Sequence, residues 1–259
     1  PQSAALDCGE SGSTLRFLLP VVCALGVQTT FVMHGRLPYR PLSPLWEELE
    51  RMGAGLSRPT ENTIATAGQL KPGTFSIRGD VSSQYISGLL FASALLKGDS
   101  EIQVLGKLES RPYVEMTQRA LEIFGIKTTD FQIAGNQTFC SPGKIVVEGD
   151  WSNGAFFLTA KALGNTVEVA NLCDNSPQGD KAVADILSQI RQYITFSAAD
   201  IPDLVPVLSV FLAANNGGTI KDIARLRLKE SDRVKTVCRM LEHLGITAEA
   251  TENEMTVHP

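Results

Sequence analysis

Residues Ile77–Leu96 read IRGDVSSQYISGLLFASALL. Gly79, Asp80 and Val81 make a turn leaving a short strand, and Ser82, Ser83 and Gln84 follow in a row. From there the chain is almost wholly apolar as far as Leu96, a run too long for a strand in a compact domain, so it reads as a buried helix. That helix opens with two hydroxyls and an amide beside its own unsatisfied N–H groups, a setting that suits a phosphate or a carboxylate. For an isolated Ser-Ser pair the simpler reading, Ser82 as an N-cap with no ligand, carries more weight. The remainder of the chain decides between the two.

At 259 residues with 43% hydrophobic content, the chain has material for one large or two ordinary domains with real cores. No apolar run reaches membrane-spanning length without interruption, and Pro1–Glu10 has no signal-peptide pattern. Five scattered cysteines (Cys8, Cys23, Cys140, Cys173, Cys238) form no CxxC or Cys/His cluster, so the expectation is reduced thiols, no metal and a cytoplasmic location. Three histidines leave little for His-based catalysis, and His243, in an amphipathic helix, reads as a surface residue. The net charge of −5 argues against a nucleic-acid partner, whereas an anionic substrate needs only a local gathering of cations.

One plan recurs four times: a polar start, an apolar helix, a short strand, an amphipathic helix and a β-rich close. The apolar helices are expected at Ser11–Gly26, Ser82–Leu96, Ser152–Gly164 and Asp203–Ala214. The strands after them are expected at Gln28–Met33, Glu101–Val104, Thr166–Val169 and Thr219–Ile220. The second helices follow at Leu42–Met52, Tyr113–Phe124, Lys181–Tyr193 and Arg233–Leu244. Three of them end alike, at Gly53, Gly125 and Gly245, which are natural C-terminal stops. A spacing of about 50 to 72 residues exceeds the common solenoid repeats. Sliding clamps are also built of repeated α/β units, but the acidic balance and the buried Ser-Ser-Gln disfavour that reading. Residue 1 is Pro with no Met before it, so the sequence is expected to be a piece of a longer protein.

The stretch Asp7–Arg16, DCGESGSTLR, runs a Gly-punctuated loop into a helix. Gly12 permits close backbone approach, and Ser13, Thr14 and Arg16 are placed to meet an anion, although the P-loop Lys-Ser/Thr pair is missing. Arg40 and Arg111 each stand beside a Pro at the start of a second helix; a single such Arg is a surface residue, and the repetition makes it more. Asp203, in IPD, suits an N-cap or a general base. Arg225-Leu226-Arg227-Leu228 alternates like a strand, delivering Lys229, Glu230 and Arg233 to one corner. Such a charge run is usually a solvated face; here the grouping suits acid/base work on a polyanion.

As a set, GESGSTLR, the Arg40-Pro41 pair, GDVSSQY, SRPY, EGDWSNGAFFL, NSPQGD, IPD and KESDR resemble the enolpyruvyl transferases, in particular the 3-phosphoshikimate 1-carboxyvinyltransferases (EPSP synthases) of aromatic amino-acid synthesis. The segments occur in that family's order and span nearly the whole chain. The resemblance implies an α/β fold of two domains, each an inside-out arrangement of repeated units with helices within and sheets outside, here incomplete. It implies a shikimate-3-phosphate-binding domain at 1–146 and a catalytic-carboxylate domain at 147–259, closing on substrate. By resemblance, Ser82, Ser83 and Ser110 hold the phosphate of shikimate 3-phosphate, with Gln84 and Tyr113 at the ring. Gly12, Arg40 and Arg233 contact phosphoenolpyruvate. Asp203 takes the proton of the 5-hydroxyl with help from Lys229, and Glu230 manages the proton on the enol carbon. The implied protein is a monomer that needs no cofactor, binds neither nucleic acid nor membrane, and is a target of glyphosate.

Departures from the family pattern are Glu10 and Arg225, each where Asn is common. The family's N-terminal lysine and arginine, and its C-terminal Asp-His-Arg stretch and further lysine, fall outside this sequence, so the chain alone is expected to be inactive. Two alternatives stand beside this reading. One is the sister UDP-N-acetylglucosamine enolpyruvyl transferase, which is not expected to carry SSQ, SRPY and KESDR in this form. The other is a non-catalytic module that binds a sugar phosphate.

Overall fold

Strand, helix, parallel strand, helix and an antiparallel hairpin follow one another three times in the computed structural model, which describes residues 3–259. Pro1 and Gln2, where the expected first domain opens, lie outside the described residues. The first pass is β1 (Ser3–Asp7), α1 (Gly12–Leu25), β2 (Gln28–Val32), α2 (Leu45–Arg51), β3 (Ala54–Thr60) and β4 (Thr63–Gly68). The second is β5 (Thr74–Arg78), α3 (Ser83–Ser93), β6 (Ser100–Leu105), α4 (Arg111–Ile123), β7 (Thr128–Thr129) and β8 (Gln132–Ile133). Two helices follow, α5 (Trp151–Ala162) and α6 (Val183–Leu187). The third pass is β9 (Ile194–Ser197), α7 (Val205–Ala214), β10 (Gly218–Lys221), α8 (Arg233–His243), β11 (Ala248–Ala250) and β12 (Glu254–Val257).

Each pass makes its own four-stranded sheet with one strand order: β1-β2-β4-β3, β5-β6-β8-β7 and β9-β10-β12-β11. The first two strands of each are parallel and the hairpin adds antiparallel, with register pairs such as Phe31↔Ile64 and Ile220↔Met255. Burial alternates along β2, β5 and β12, so these strands bury one face and leave the other more open. The chain divides into two compact units between Lys144 and Ile145, each with its own apolar core.

The core of the first unit is organised on α3. Tyr85, Ile86, Leu89, Leu90 and Ala92 have no exposed surface, as expected for a helix apolar on every side. It lies so close to α1 that a Cβ on Gly88 would run into the Arg16 carbonyl and press on Pro20. Beside that crossing the Phe17 and Phe91 rings meet edge-on, 5.6 Å between centroids. The outer helix α4 buries only Val114, Thr117 and Leu121. Gly53, Gly125 and Gly245 take positive φ (107°, 82° and 77°) where their helices stop.

Four expectations need correction. The sequence Arg225–Leu228 is not a strand but part of a 3₁₀ turn, Ala224–Leu228. Its apolar period is three, with Ile223 and Leu226 buried together and Leu228 left exposed. Thr166–Val169 alternates in burial, yet pairs with no other strand among the described residues, so no sheet forms there. The helix expected over Lys181–Tyr193 shrinks to a 3₁₀ turn and α6, ending at Leu187. Finally, Asp203 does not cap α7. It sits inside a 3₁₀ turn, Pro202–Leu204, that leads into that helix.

Candidate active site

In the first unit, Ser82 is extended (φ −158°, ψ 124°) and its hydroxyl accepts from the Gln84 N–H at 3.3 Å, so it caps α3. Buried Ser83 and half-buried Gln84 form the first turn beside it, which places the positive end of the helix at this point. Ser110 stands at the head of α4 in a left-handed conformation (φ 54°, ψ 38°) and is almost fully buried. Tyr113 follows in the same turn, its N–H donating to the Ser110 carbonyl at 3.1 Å. The two helices are pinned one turn further in, where the Ser87 and Thr117 hydroxyls lie 2.7 Å apart. Thr117 gives its proton to the Tyr113 carbonyl at 3.0 Å, which leaves Ser87 as the donor in that pair.

Gly12 begins α1, capped by Ser11, whose hydroxyl accepts from the Thr14 N–H at 3.2 Å. A Cβ on Gly12 would meet an Nη1 of Arg16 and an Nη1 of Arg40, each at 2.7 Å, so two guanidinium groups flank the bare backbone. Arg16 is also tied to its neighbours within the protein. It is buried, donates from Nη1 to Gln84 Oε1 at 2.9 Å and from Nη2 to the Pro41 carbonyl at 3.1 Å, and lies over the Tyr85 ring. Tyr85 donates its own O–H to that carbonyl at 2.5 Å. Burial holds the Tyr85 phenol above its ordinary pKa against the opposing pull of Arg16 and Arg40. Arg16 and Tyr85 therefore fix the backbone beside Arg40 and the amide of Gln84, a role absent from the sequence reading. The available signal was a charged residue inside an otherwise apolar helix. Glu10 is exposed and its carboxyl lies against Gly35.

In the second unit, Asp203 comes from the turn before α7, Lys229 and Glu230 from the loop into α8, and Arg233 from the first position of that helix. Asp232 caps α8 by accepting from the Lys235 N–H at 3.0 Å, which aims the Arg233 side chain out of the first turn. Arg233 Nη1 donates to Asp203 Oδ1 at 2.5 Å and to the Pro202 carbonyl at 3.0 Å, while its Nη2 lies 3.5 Å from Glu230 Oε2. Loss of hydration on burial pulls the Lys229 ammonium down to about 8. Asp203 opposes that fall, Arg225 and Arg233 add to it, and Glu230 opposes it more weakly. Two carboxylates, a guanidinium and a readily deprotonated lysine thus stand in one cluster, a set able to move protons and offset developing charge.

Over residues 1–259 the sequence matches the family model of EPSP synthase (3-phosphoshikimate 1-carboxyvinyltransferase). The chain belongs to that family. A 3-phosphoshikimate 1-carboxyvinyltransferase of Clostridium novyi is 36% identical over 282 residues, covering 99% of this chain and 64% of the relative. One from Clostridium acetobutylicum is 39% identical over 272 residues, covering 96% and 63%. This EPSP synthase family chain therefore spans just under two thirds of the length of these relatives. A solved EPSP synthase from Acinetobacter baumannii superposes with a TM-score of 0.70 at 23% identity, over 98% of this chain and 65% of that one. A second structure of EPSP synthase from the same organism gives 0.66 at 20% identity. The repeated α/β units are thus the fold of the EPSP synthases.

Proposed function

We propose that this chain carries the sugar-phosphate site and the acid/base groups of an enolpyruvyl transferase. The parent enzyme would join phosphoenolpyruvate to shikimate 3-phosphate, giving 5-enolpyruvylshikimate 3-phosphate and phosphate. The observation that carries the reading is Arg233 held against both Asp203 and Glu230, beside a lysine with a pKa near 8. The relatives' names support the shikimate substrate over a nucleotide sugar.

In this proposal the shikimate-3-phosphate domain runs over 1–146, with Ser82, Ser83 and Ser110 donating to the phosphate and Gln84 and Tyr113 at the ring. Gly12 admits phosphoenolpyruvate against Arg40, and Arg233 contributes a second cation. The domain proposed over 147–259 supplies the proton chemistry. Asp203 takes the proton of the 5-hydroxyl as its oxygen bonds to C2 of phosphoenolpyruvate, with Lys229 assisting. Glu230 delivers a proton to C3, and a tetrahedral intermediate results. Loss of a proton from that new methyl group restores the double bond while the C2–O bond to phosphate breaks. Arginines suit the charge that accumulates, because their forked donors match phosphate and carboxylate oxygens.

The test is phosphate release by an enzyme of the relatives' full length carrying this sequence. Asp203→Asn and Glu230→Gln should each slow turnover by about 10²–10⁴-fold while leaving affinity for shikimate 3-phosphate intact. Near-normal turnover in either variant would overturn the assignment. The reading extends to a monomer, which sedimentation at a dimer's mass would refute, and to the cytoplasm, which the five free cysteines support. No helix among the described residues is long and apolar enough to cross a membrane.

A further inference from the structure

We propose that Gly79 is a positioning residue: it sets the separation between Ser82–Ser83 and Ser110, and with it the preference for a phosphorylated over an unphosphorylated ring. This rests on the phosphate site proposed above. Gly79 lies between β5 and α3, three residues before Ser82. Its N–H donates to the Leu105 carbonyl at 3.0 Å, and its carbonyl accepts from the Glu109 N–H at 3.1 Å, one residue before Ser110. The loop that ends in Ser82 is therefore tied to the loop that ends in Ser110 by two backbone hydrogen bonds.

The tie requires glycine for reasons of space. Gly79 is not among the glycines with positive φ. A Cβ there would sit 2.8 Å from the Lys107 carbonyl oxygen, 2.8 Å from Val104 Cγ1 and 2.9 Å from Leu108 Cα. Two of those three atoms are backbone and cannot swing aside, so any side chain drives the two loops apart. Behind them the Ser87–Thr117 hydrogen bond fixes α3 against α4, so the displacement falls on the serines at the helix starts. Ser110 is held buried in a left-handed conformation that a non-glycine residue keeps only when its surroundings impose it. Hydroxyls on two loops meet one tetrahedral phosphate only at a fixed separation.

The test is the ratio of affinities for shikimate 3-phosphate and shikimate, measured on this chain by calorimetry and ligand-observed NMR. Gly79→Ala should lose about tenfold or more in affinity for the phosphate ester, the loss of one hydrogen bond to a charged group, with shikimate affinity nearly unchanged. Gly98→Ala is the control, because its Cβ would press on Pro72 Cγ at 2.9 Å in the loop beyond the far end of α3. It should lower the melting temperature and leave the ratio alone. An unchanged ratio in folded Gly79→Ala, or an equal fall in both variants, overturns the inference. If the unaltered chain shows no preference for the phosphate ester, it is the phosphate-site reading that fails instead.

Discussion

Arg233 Nη1 lies 2.5 Å from Asp203 Oδ1, and the same guanidinium reaches the Pro202 carbonyl and Glu230. One side chain at the start of α8 therefore fixes the turn that opens α7 and holds both carboxylates assigned to proton transfer. A lysine's donors all radiate from one nitrogen and cannot span partners that the guanidinium meets with two separate nitrogens. Arg233→Lys should cost about 1–3 kcal/mol in stability, the worth of hydrogen bonds to a charged group, and weaken phosphoenolpyruvate binding. Chemical denaturation together with substrate titration of the full-length enzyme checks both.

Lys229 gives the second unit a stability that rises with pH. Its pKa falls from 10.5 to about 8 on folding, so at neutral pH the folded protein carries a poorly hydrated charge that the unfolded chain hydrates freely. Between about 8 and 10.5 the unfolded chain still holds the proton and the folded one has lost it, and stability gains with each step in pH. Lys229→Met should remove that gain. Denaturant midpoints for both proteins at pH 7.5, 9 and 10 provide the comparison, and parallel curves would exclude the shift.

The crossing of α1 and α3 admits no side chain at position 88. A Cβ on Gly88 would strike the Arg16 carbonyl, with Pro20 Cγ 3.1 Å away. Gly88→Ala should destabilise by about 3 kcal/mol, the upper range for overpacking a tight core, and loosen Arg16 from Gln84. Thermal unfolding measures the first effect. A change of less than about 1 kcal/mol would mean that the helices can part at little cost.

What could be read in the sequence follows from which signals are local. The α3 helix was legible because a long apolar run after Ser82-Ser83-Gln84 has few other solutions. The glycine stops after Met52, Phe124 and Leu244 were legible because each ends an amphipathic pattern. The strand that opens each repeat was not, apart from the one leading to Gly79. Ser3–Asp7 (SAALD) and Ile194–Ser197 (ITFS) are short and largely exposed on one face, and they become strands through parallel pairing with β2 and β10. Arg225–Leu228 misled because alternation over four residues fits a strand and a 3₁₀ turn alike; only the burial of Ile223 with Leu226 separates them. At the site, motif residues were visible as types in a row. Arg16 as the holder of Gln84 was not, since the two lie 68 residues apart.

Thiol chemistry offers an independent check on packing. Burial raises the Cys8 thiol to about 11, aided by Asp7, and raises Cys23 to about 12, whereas Cys140 and Cys173 are exposed. Iodoacetamide at pH 8 should alkylate Cys140 and Cys173 in the native chain and spare Cys8 and Cys23 until it is unfolded. Peptide mass mapping reads out the pattern. Early labelling of Cys23 would place it outside the core.

The central claim is that Ser82, Ser83 and Ser110 form a phosphate site that recognises a phosphorylated ring. Its most direct test is the melting temperature of this chain with shikimate 3-phosphate, shikimate or inorganic phosphate, for the unaltered protein and for Ser82→Ala/Ser83→Ala. A ligand that binds only the folded state adds about 2.7 kcal/mol at 100 times its Kd. Shikimate 3-phosphate should give a clear upward shift, either fragment of it a much smaller one, and the double variant no shift. Equal shifts with all three ligands, no shift with any, or a full shift in the double variant would contradict the claim.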